Sequence, residues 1–138
     1  MIKSTTNIKV RYAEVDKMGF VYCSRYLEYF EISRADWLEK YMVAYSSIED
    51  DYGIYLPVID SNVKNKKPAK YDNNLLLKCS VDIAAIKKSI CFNYEIYFEN
   101  QLICTGNSTH LFLDRNTNKV ITIPQELSKL LKVDAANI

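Results

Sequence analysis

The sequence predicts an α+β domain in which an antiparallel sheet curls around one long helix, and three observations carry that prediction. A strand pattern comes first, then a single long stretch of helical periodicity, and after it nearly every apolar run alternates with period two. The helical stretch is apolar over a face too broad for a simple stripe, so other structure must cover much of it. The later strand patterns are joined by short polar turns, the connectivity of antiparallel neighbours rather than of crossovers.

The first alternation is Ile8, Val10, Tyr12, separated by Lys9 and Arg11, and predicts a strand with one face buried. Ala13 to Tyr22 loses that pattern and contains Asp16-Lys17-Met18-Gly19, a loop. From about Ser24, a candidate N-cap, Tyr26, Leu27, Phe30, Ala35, Trp37, Leu38 and Tyr41 recur at helical spacing. Arg25, Glu28, Glu39 and Lys40 occupy the other side, while Tyr29 and Ile32 widen the apolar face. A short helix follows, with Ser46 and Glu49 at capping-box spacing and Gly53 placed to end it in a left-handed conformation.

Strand patterns fill the rest. Ile54, Leu56 and Val58 alternate in a segment that runs to Pro68, a residue suited to a strand end or edge. Leu75, Leu77, Cys79, Val81 and Ile83 form the next alternation, and Ile90 to Phe98 the clearest one. Glu99-Asn100-Gln101 predicts a hairpin into Leu102 to Leu113, and Asp114 to Asn118 a turn into a short strand at Val120 and Ile121. Pro124 opens a terminal helical turn over Gln125 to Leu131.

Bulk composition narrows the function classes. A chain of 138 residues, 49% hydrophobic and 25% charged, is sized and composed for one globular domain, 1–138. Eighteen basic against seventeen acidic residues argue against a duplex nucleic-acid binder. No apolar run is long enough to span a bilayer and no secretory h-region opens the chain, so a cytoplasmic location is expected. Cys23, Cys79, Cys91 and Cys104 show neither CxxC pairing nor metal-ligand spacing; reduced, mostly buried thiols are expected, with no metal and no cofactor.

The chemistry concentrates in residues 11–34, RYAEVDKMGFVYCSRYLEYFEISR. Asp16 lies in a loop shortly before a helix N-terminus, whose free amides carry partial positive charge and can hold an oxyanion. A carboxylate facing such amides is a workable pair for opening an acyl carbonyl. Locally, however, Asp followed three residues later by Gly is also ordinary type I turn chemistry.

The wider pattern resembles the 4-hydroxybenzoyl-CoA thioesterase family, including the Tol-Pal-associated acyl-CoA thioesterases. The resemblance rests on Tyr12, Glu14, Asp16, Gly19, Phe20-Val21, Cys23, Tyr26, Phe30-Glu31 and Arg34, in that order. It continues through Pro68-Ala69-Lys70-Tyr71-Asp72, Tyr94-Glu95-Ile96, Gly106 and Ile123-Pro124-x-x-Leu127, covering nearly the whole chain. It implies a hotdog fold, a sheet wrapped on a central helix, with active sites at a homodimer interface and further pairing into a homotetramer.

The resemblance also implies roles. Asp16 matches the catalytic aspartate, as nucleophile or as the base that activates water, and the Cys23 backbone N–H matches the oxyanion donor. Gly19 would allow a close loop approach, and Tyr12 would position Asp16. Many Tol-Pal-type relatives have His where this chain has Cys23, so the amide rather than the side chain is the expected contributor. A Cys23 nucleophile is disfavoured, because His110, the only histidine, lies far along the chain in a strand pattern and reads as an ordinary strand residue. Val21, Tyr26 and Tyr71 are candidates to line the substrate pocket, among other tyrosines that read equally as core. For the CoA phosphates there are two basic clusters, Lys64, Lys66, Lys67 and Lys70, or Lys87-Lys88 with Ser89; solvated strand ends are the competing reading, and the family pattern slightly favours Lys87, Lys88 and Ser89. The implied function is hydrolysis of a small or medium acyl-CoA. An acyl-carrier-protein thioesterase and a non-catalytic acyl-thioester binder are the alternatives.

Overall fold

The computed structural model describes residues 1–131. In chain order the described elements are β1 (Ile2–Lys9), α1 (Arg25–Tyr41), α2 (Tyr45–Asp50), β2 (Ile54–Tyr55), β3 (Val58–Asn65), β4 (Asn74–Val81), β5 (Ser89–Phe98), β6 (Gln101–Leu111), β7 (Leu113–Asp114) and α3 (Gln125–Ser128). The five long strands form one antiparallel sheet in the order β1-β4-β5-β6-β3, and β2 pairs with β7.

The sheet and α1 bury each other. Tyr26, Tyr29, Phe30, Ser33, Trp37, Leu38 and Tyr41 face inward from α1 onto alternate residues such as Leu75, Leu77, Cys79, Ile90, Phe92 and Tyr94. Phe30 and Leu38 contribute about 2 kcal/mol each by leaving water. Trp37 donates its indole N–H to the Ile2 carbonyl at 3.0 Å, which locks α1 to β1. Gly106 on β6 is where the backbone comes closest to α1. A Cβ there would lie 2.4 Å from the Asn62 carbonyl and 2.4 Å from the Phe30 ring, which itself stacks on Tyr94 at 4.3 Å.

Several expectations need correction. The first strand runs from Ile2 and ends before Tyr12; its inward positions include Ser4, so its polar sequence concealed it. Tyr12 enters a 3-10 turn (Tyr12–Glu14) and is 78% exposed. Ser24 does not cap α1 with its side chain, because its backbone is already helical (φ −64°, ψ −25°) and the Tyr22 and Cys23 carbonyls take the first amides. In α2 the cap position is Ala44 rather than Ser46, while Gly53 does turn left-handed (φ 66°). Between Ile54 and Val58 the single expected strand breaks at Leu56-Pro57 into β2 and β3, and Ile83 falls in a 3-10 turn. Leu27 and Ile32 are exposed, so α1 is open along one side. The Glu99-Asn100 hairpin is borne out, with positive φ at both residues (48° and 64°), the type I′ geometry that matches strand twist. Val120 makes only an isolated bridge to Leu113. Pro124 stands at the cap, and α3 ends at Ser128.

Candidate active site

Asp16 starts a tight hairpin whose arms meet at Val15 and Val21. Its amide donates to the Phe20 carbonyl at 2.7 Å, its carbonyl accepts from Gly19 N–H at 2.9 Å, and Gly19 takes φ +85°. That is a type I turn closed by a left-handed glycine bulge. A Cβ at Gly19 would meet nothing of this chain within 4 Å, so within the chain the glycine serves the backbone angle. Oδ1 of Asp16 accepts from Met18 N–H (2.9 Å) and Phe20 N–H (3.1 Å). Among the described residues Oδ2 has no partner. The turn reading of Asp16 is thus met by one carboxylate oxygen, and the other is free.

Glu14 braces this loop, a part the sequence reading left without a role. It is 5% exposed; its carbonyl accepts from Tyr22 N–H at 3.1 Å, and Oε1 accepts from Arg11 N–H at 2.8 Å and from the Tyr29 hydroxyl at 3.2 Å. Burial, helped by the Glu14 charge, pushes the Tyr29 hydroxyl well above its ordinary pKa, so it stays a donor. The Arg11-x-x-Glu14 spacing was the available signal. A second anchor comes from the Ala69 carbonyl, which takes Val21 N–H at 2.9 Å, and from the bridge between Phe20 and Lys70.

The expected site residues fall into three groups. Tyr12, Asp16, Gly19 and Tyr71 line a hollow of about 420 Å³, joined there by Tyr22, with Tyr12 and Tyr71 in edge contact at 5.6 Å. Val21, Cys23 and Tyr26 line another, of about 270 Å³, together with Asn65, Lys66 and Lys67. Tyr22 lines the first and its neighbours Val21 and Cys23 the second, so within one chain Asp16 and Cys23 do not line one hollow. Lys87, Lys88 and Ser89 form the third group. Ser89 pairs with Leu111 at one end of β5, whereas Phe98 at the other end pairs with Leu75, next to the Asp16 anchor. A strand of that length spans on the order of 30 Å, so one chain does not bring these lysines to Asp16.

In the second hollow the Tyr26 hydroxyl accepts from Ala69 N–H at 3.3 Å, and burial raises its pKa. The amides of Cys23 and Ser24 donate to nothing among the described residues, which leaves two N–H groups at the start of α1. The Cys23 thiol is exposed and accepts from the Asn65 side chain at 3.5 Å, while Asn65 Oδ1 accepts from Cys104, whose thiol burial pushes up to about 12. His110 is buried and hydrogen-bonded within the sheet, as an ordinary strand residue would be. Among the described residues, no group of His, Cys, Asp and Glu could hold a metal, and no helix is long and apolar enough to cross a membrane.

Comparison with known proteins places this geometry. The sequence matches the thioesterase-like superfamily over residues 10–131. It is 32% identical over 119 residues to YneP of Bacillus subtilis (strain 168), a protein provisionally named an acyl-CoA thioesterase, covering 86% of this chain and 85% of that one. The DHNA-CoA thioesterase structure from Staphylococcus aureus superposes with a TM-score of 0.81 at 35% identity, over 89% of this chain and 82% of that one. The 4-hydroxybenzoyl-CoA thioesterase of Pseudomonas sp. strain CBS-3 shares the fold, with a TM-score of 0.82 at 16% identity, over 94% and 99% of the two chains. The sheet wrapped on α1 is thus a hotdog fold, and the chain belongs to the thioesterase-like superfamily.

Proposed function

We propose that the chain is an acyl-CoA thioesterase in which Asp16 is the general base or nucleophile and the α1 amides hold the oxyanion, in a site completed by a second copy. The observation that carries this reading is the Asp16 carboxylate, pinned through Oδ1 by its own turn with Oδ2 free. A fixed carboxylate needs no reorganisation to take a proton from water, or to add to the thioester carbonyl itself. The charge that develops on the carbonyl oxygen then meets the unused Cys23 and Ser24 amides at the positive end of α1. Collapse of that adduct expels the CoA thiolate, which takes up the proton Asp16 removed from water; on the nucleophilic route water then hydrolyses the mixed anhydride left on Asp16 and frees the acid.

The need for a second copy follows from the separation of Asp16, Cys23 and Lys87–Ser89 in one chain. β3 supports a homodimer: it is an edge strand with Val58 and Ile59 55% and 56% exposed, beside the open side of α1. An unpaired edge of this kind is a template for another chain. Lys87, Lys88 and Ser89 of a second copy are then the candidates for the CoA phosphates. In the same chain Lys66 and Lys67 stand at the Cys23 hollow and suit either phosphates or an acidic carrier protein.

The test is a panel of acyl-CoA substrates, including 1,4-dihydroxy-2-naphthoyl-CoA and one acyl-carrier-protein thioester, with a thiol reporter. Asp16→Asn keeps a side-chain oxygen for the turn and is expected to lose roughly 100-fold or more in kcat. Asp16→Asn turning over every substrate as fast as wild type would refute the mechanism. Tight acyl-CoA binding without turnover would favour the non-catalytic binder.

A further inference from the structure

Asn65 is the last residue of β3, and its register partner on β6 is Cys104. Their side chains therefore leave the sheet on one face, the face that α1 covers. The backbone is held where the strand stops. Lys66 N–H and Lys67 N–H both donate to the Ile103 carbonyl, at 2.9 and 3.1 Å.

Sulfur meets the Asn65 amide at both ends. Its Oδ1 accepts from the Cys104 thiol at 3.6 Å, and its Nδ2 donates to Cys23 Sγ at 3.5 Å. Burial pushes the Cys104 thiol up to about 12, so it keeps its proton as a donor, shared with the Thr105 carbonyl at 3.7 Å. The amide nitrogen thus points at the residue just before α1. Sulfur is a weak acceptor, and an amide nitrogen carries two protons. An oxygen arriving beside Cys23 displaces that contact at little cost. These contacts all lie within one chain, so they hold whatever the second copy covers.

Asn65 and Cys23 line the same hollow, of about 270 Å³. We propose that the Asn65 side-chain amide is a third oxyanion donor, acting beside the Cys23 and Ser24 amides as the thioester carbonyl becomes tetrahedral. The proposal rests on the thioesterase reading above, which puts the carbonyl oxygen on those two amides. A neutral donor anchored through its own oxygen gains most when charge develops, so it acts on kcat more than on KM. Asn65 is exposed in one chain, at the end of the edge strand that the second copy meets in that reading. It therefore donates in a site that pairing closes to water, where such a hydrogen bond counts most.

Two variants test this on the best substrate from the acyl-CoA panel. Asn65→Ala is expected to lower kcat roughly 100-fold with KM little changed. Asn65→Asp keeps the shape and an acceptor for Cys104 but has no N–H, and should lose at least as much. Binding separates the donor from mere packing. A trifluoromethyl-ketone analogue of that substrate, which becomes tetrahedral in the site, should bind Asn65→Ala about 100-fold more weakly than wild type. The matching thioether, which has no carbonyl oxygen, should bind both proteins alike. Wild-type kcat in either variant, a loss confined to KM, or equal weakening of both analogues overturns the role given to Asn65 and leaves the thioesterase reading intact. Hydrolysis of no acyl-CoA by the wild-type protein sinks that reading as well.

Discussion

Replacing Glu14 separates the brace of the Asp16 loop from the chemistry proposed for it, because Glu14 holds the loop without lining the Asp16 hollow. Two of its three side-chain contacts are short, from Arg11 N–H at 2.8 Å and from the Tyr29 hydroxyl at 3.2 Å; the third, from Arg11 Nη2 at 3.4 Å, involves an exposed side chain and contributes little. Hydrogen bonds to a charged acceptor are worth about 1.5–3 kcal/mol each, and an orphaned buried donor costs about 1–3 kcal/mol. Glu14→Ala removes both short contacts and strands the Tyr29 hydroxyl, so a loss of about 4 kcal/mol, the low end of those terms together, is expected. For a domain of this size that lowers Tm by on the order of 10 °C. Glu14→Gln keeps one acceptor oxygen and should cost about 1 kcal/mol. Thermal unfolding by circular dichroism measures both, and turnover on the best substrate from the panel measures the consequence. With the brace loosened, Asp16 samples unproductive positions, so kcat should fall several-fold in Glu14→Ala at temperatures where the variant is fully folded, with KM little changed. A Glu14→Ala protein with wild-type Tm and wild-type kcat would refute the assignment of Glu14 as the brace.

Three further outcomes are expected. Gly106→Ala puts a methyl 2.4 Å from the Asn62 carbonyl and the Phe30 ring, and overpacking of that kind costs about 1–3 kcal/mol, readable as a fall in the denaturant midpoint at unchanged m-value. Burial lowers the His110 pKa below its ordinary 6.5, so the unfolded chain takes up that proton before the folded one does. Stability from this group is complete above pH 6.5 and falls as pH drops toward the lowered value; unfolding curves across that window should be flatter in His110→Gln than in wild type. Ile59→Lys places a charge on the exposed β3 edge and should shift the protein toward monomer in sedimentation or light scattering, with the hydrolysis rate falling in parallel; a variant that self-associates like wild type would remove β3 from the interface.

The parts of the fold legible in the sequence are those set by near neighbours. Asp16 and Gly19 announce a turn because the oxygen acceptor and the positive φ it needs lie three residues apart, and Gly53 and Glu99-Asn100 are legible for the same reason. The alternation of β4 and β5 survives because both strands bury one face against α1. β1 was hidden because its inward positions include Ser4, so that pairing with β4, not hydrophobic periodicity, makes it a strand. Site assembly was the least legible. Nothing local reveals that Lys87–Ser89 lie at the far end of β5, that Asp16 and Cys23 face different hollows, or that Asn65 stands between two thiols. These depend on strand order and register, which are long-range properties.

The clamped hairpin around Asp16 has a kinetic consequence. Its backbone is tied to Glu14, Ala69 and Lys70, and its carboxylate to its own amides. In the mechanism proposed above, the conformational entropy of placing that carboxylate is therefore lost once, when the chain folds, and not again at each turnover. Such a turn cannot act as a lid over the substrate. Raising solvent viscosity should then slow substrate entry and product release without touching the chemical step.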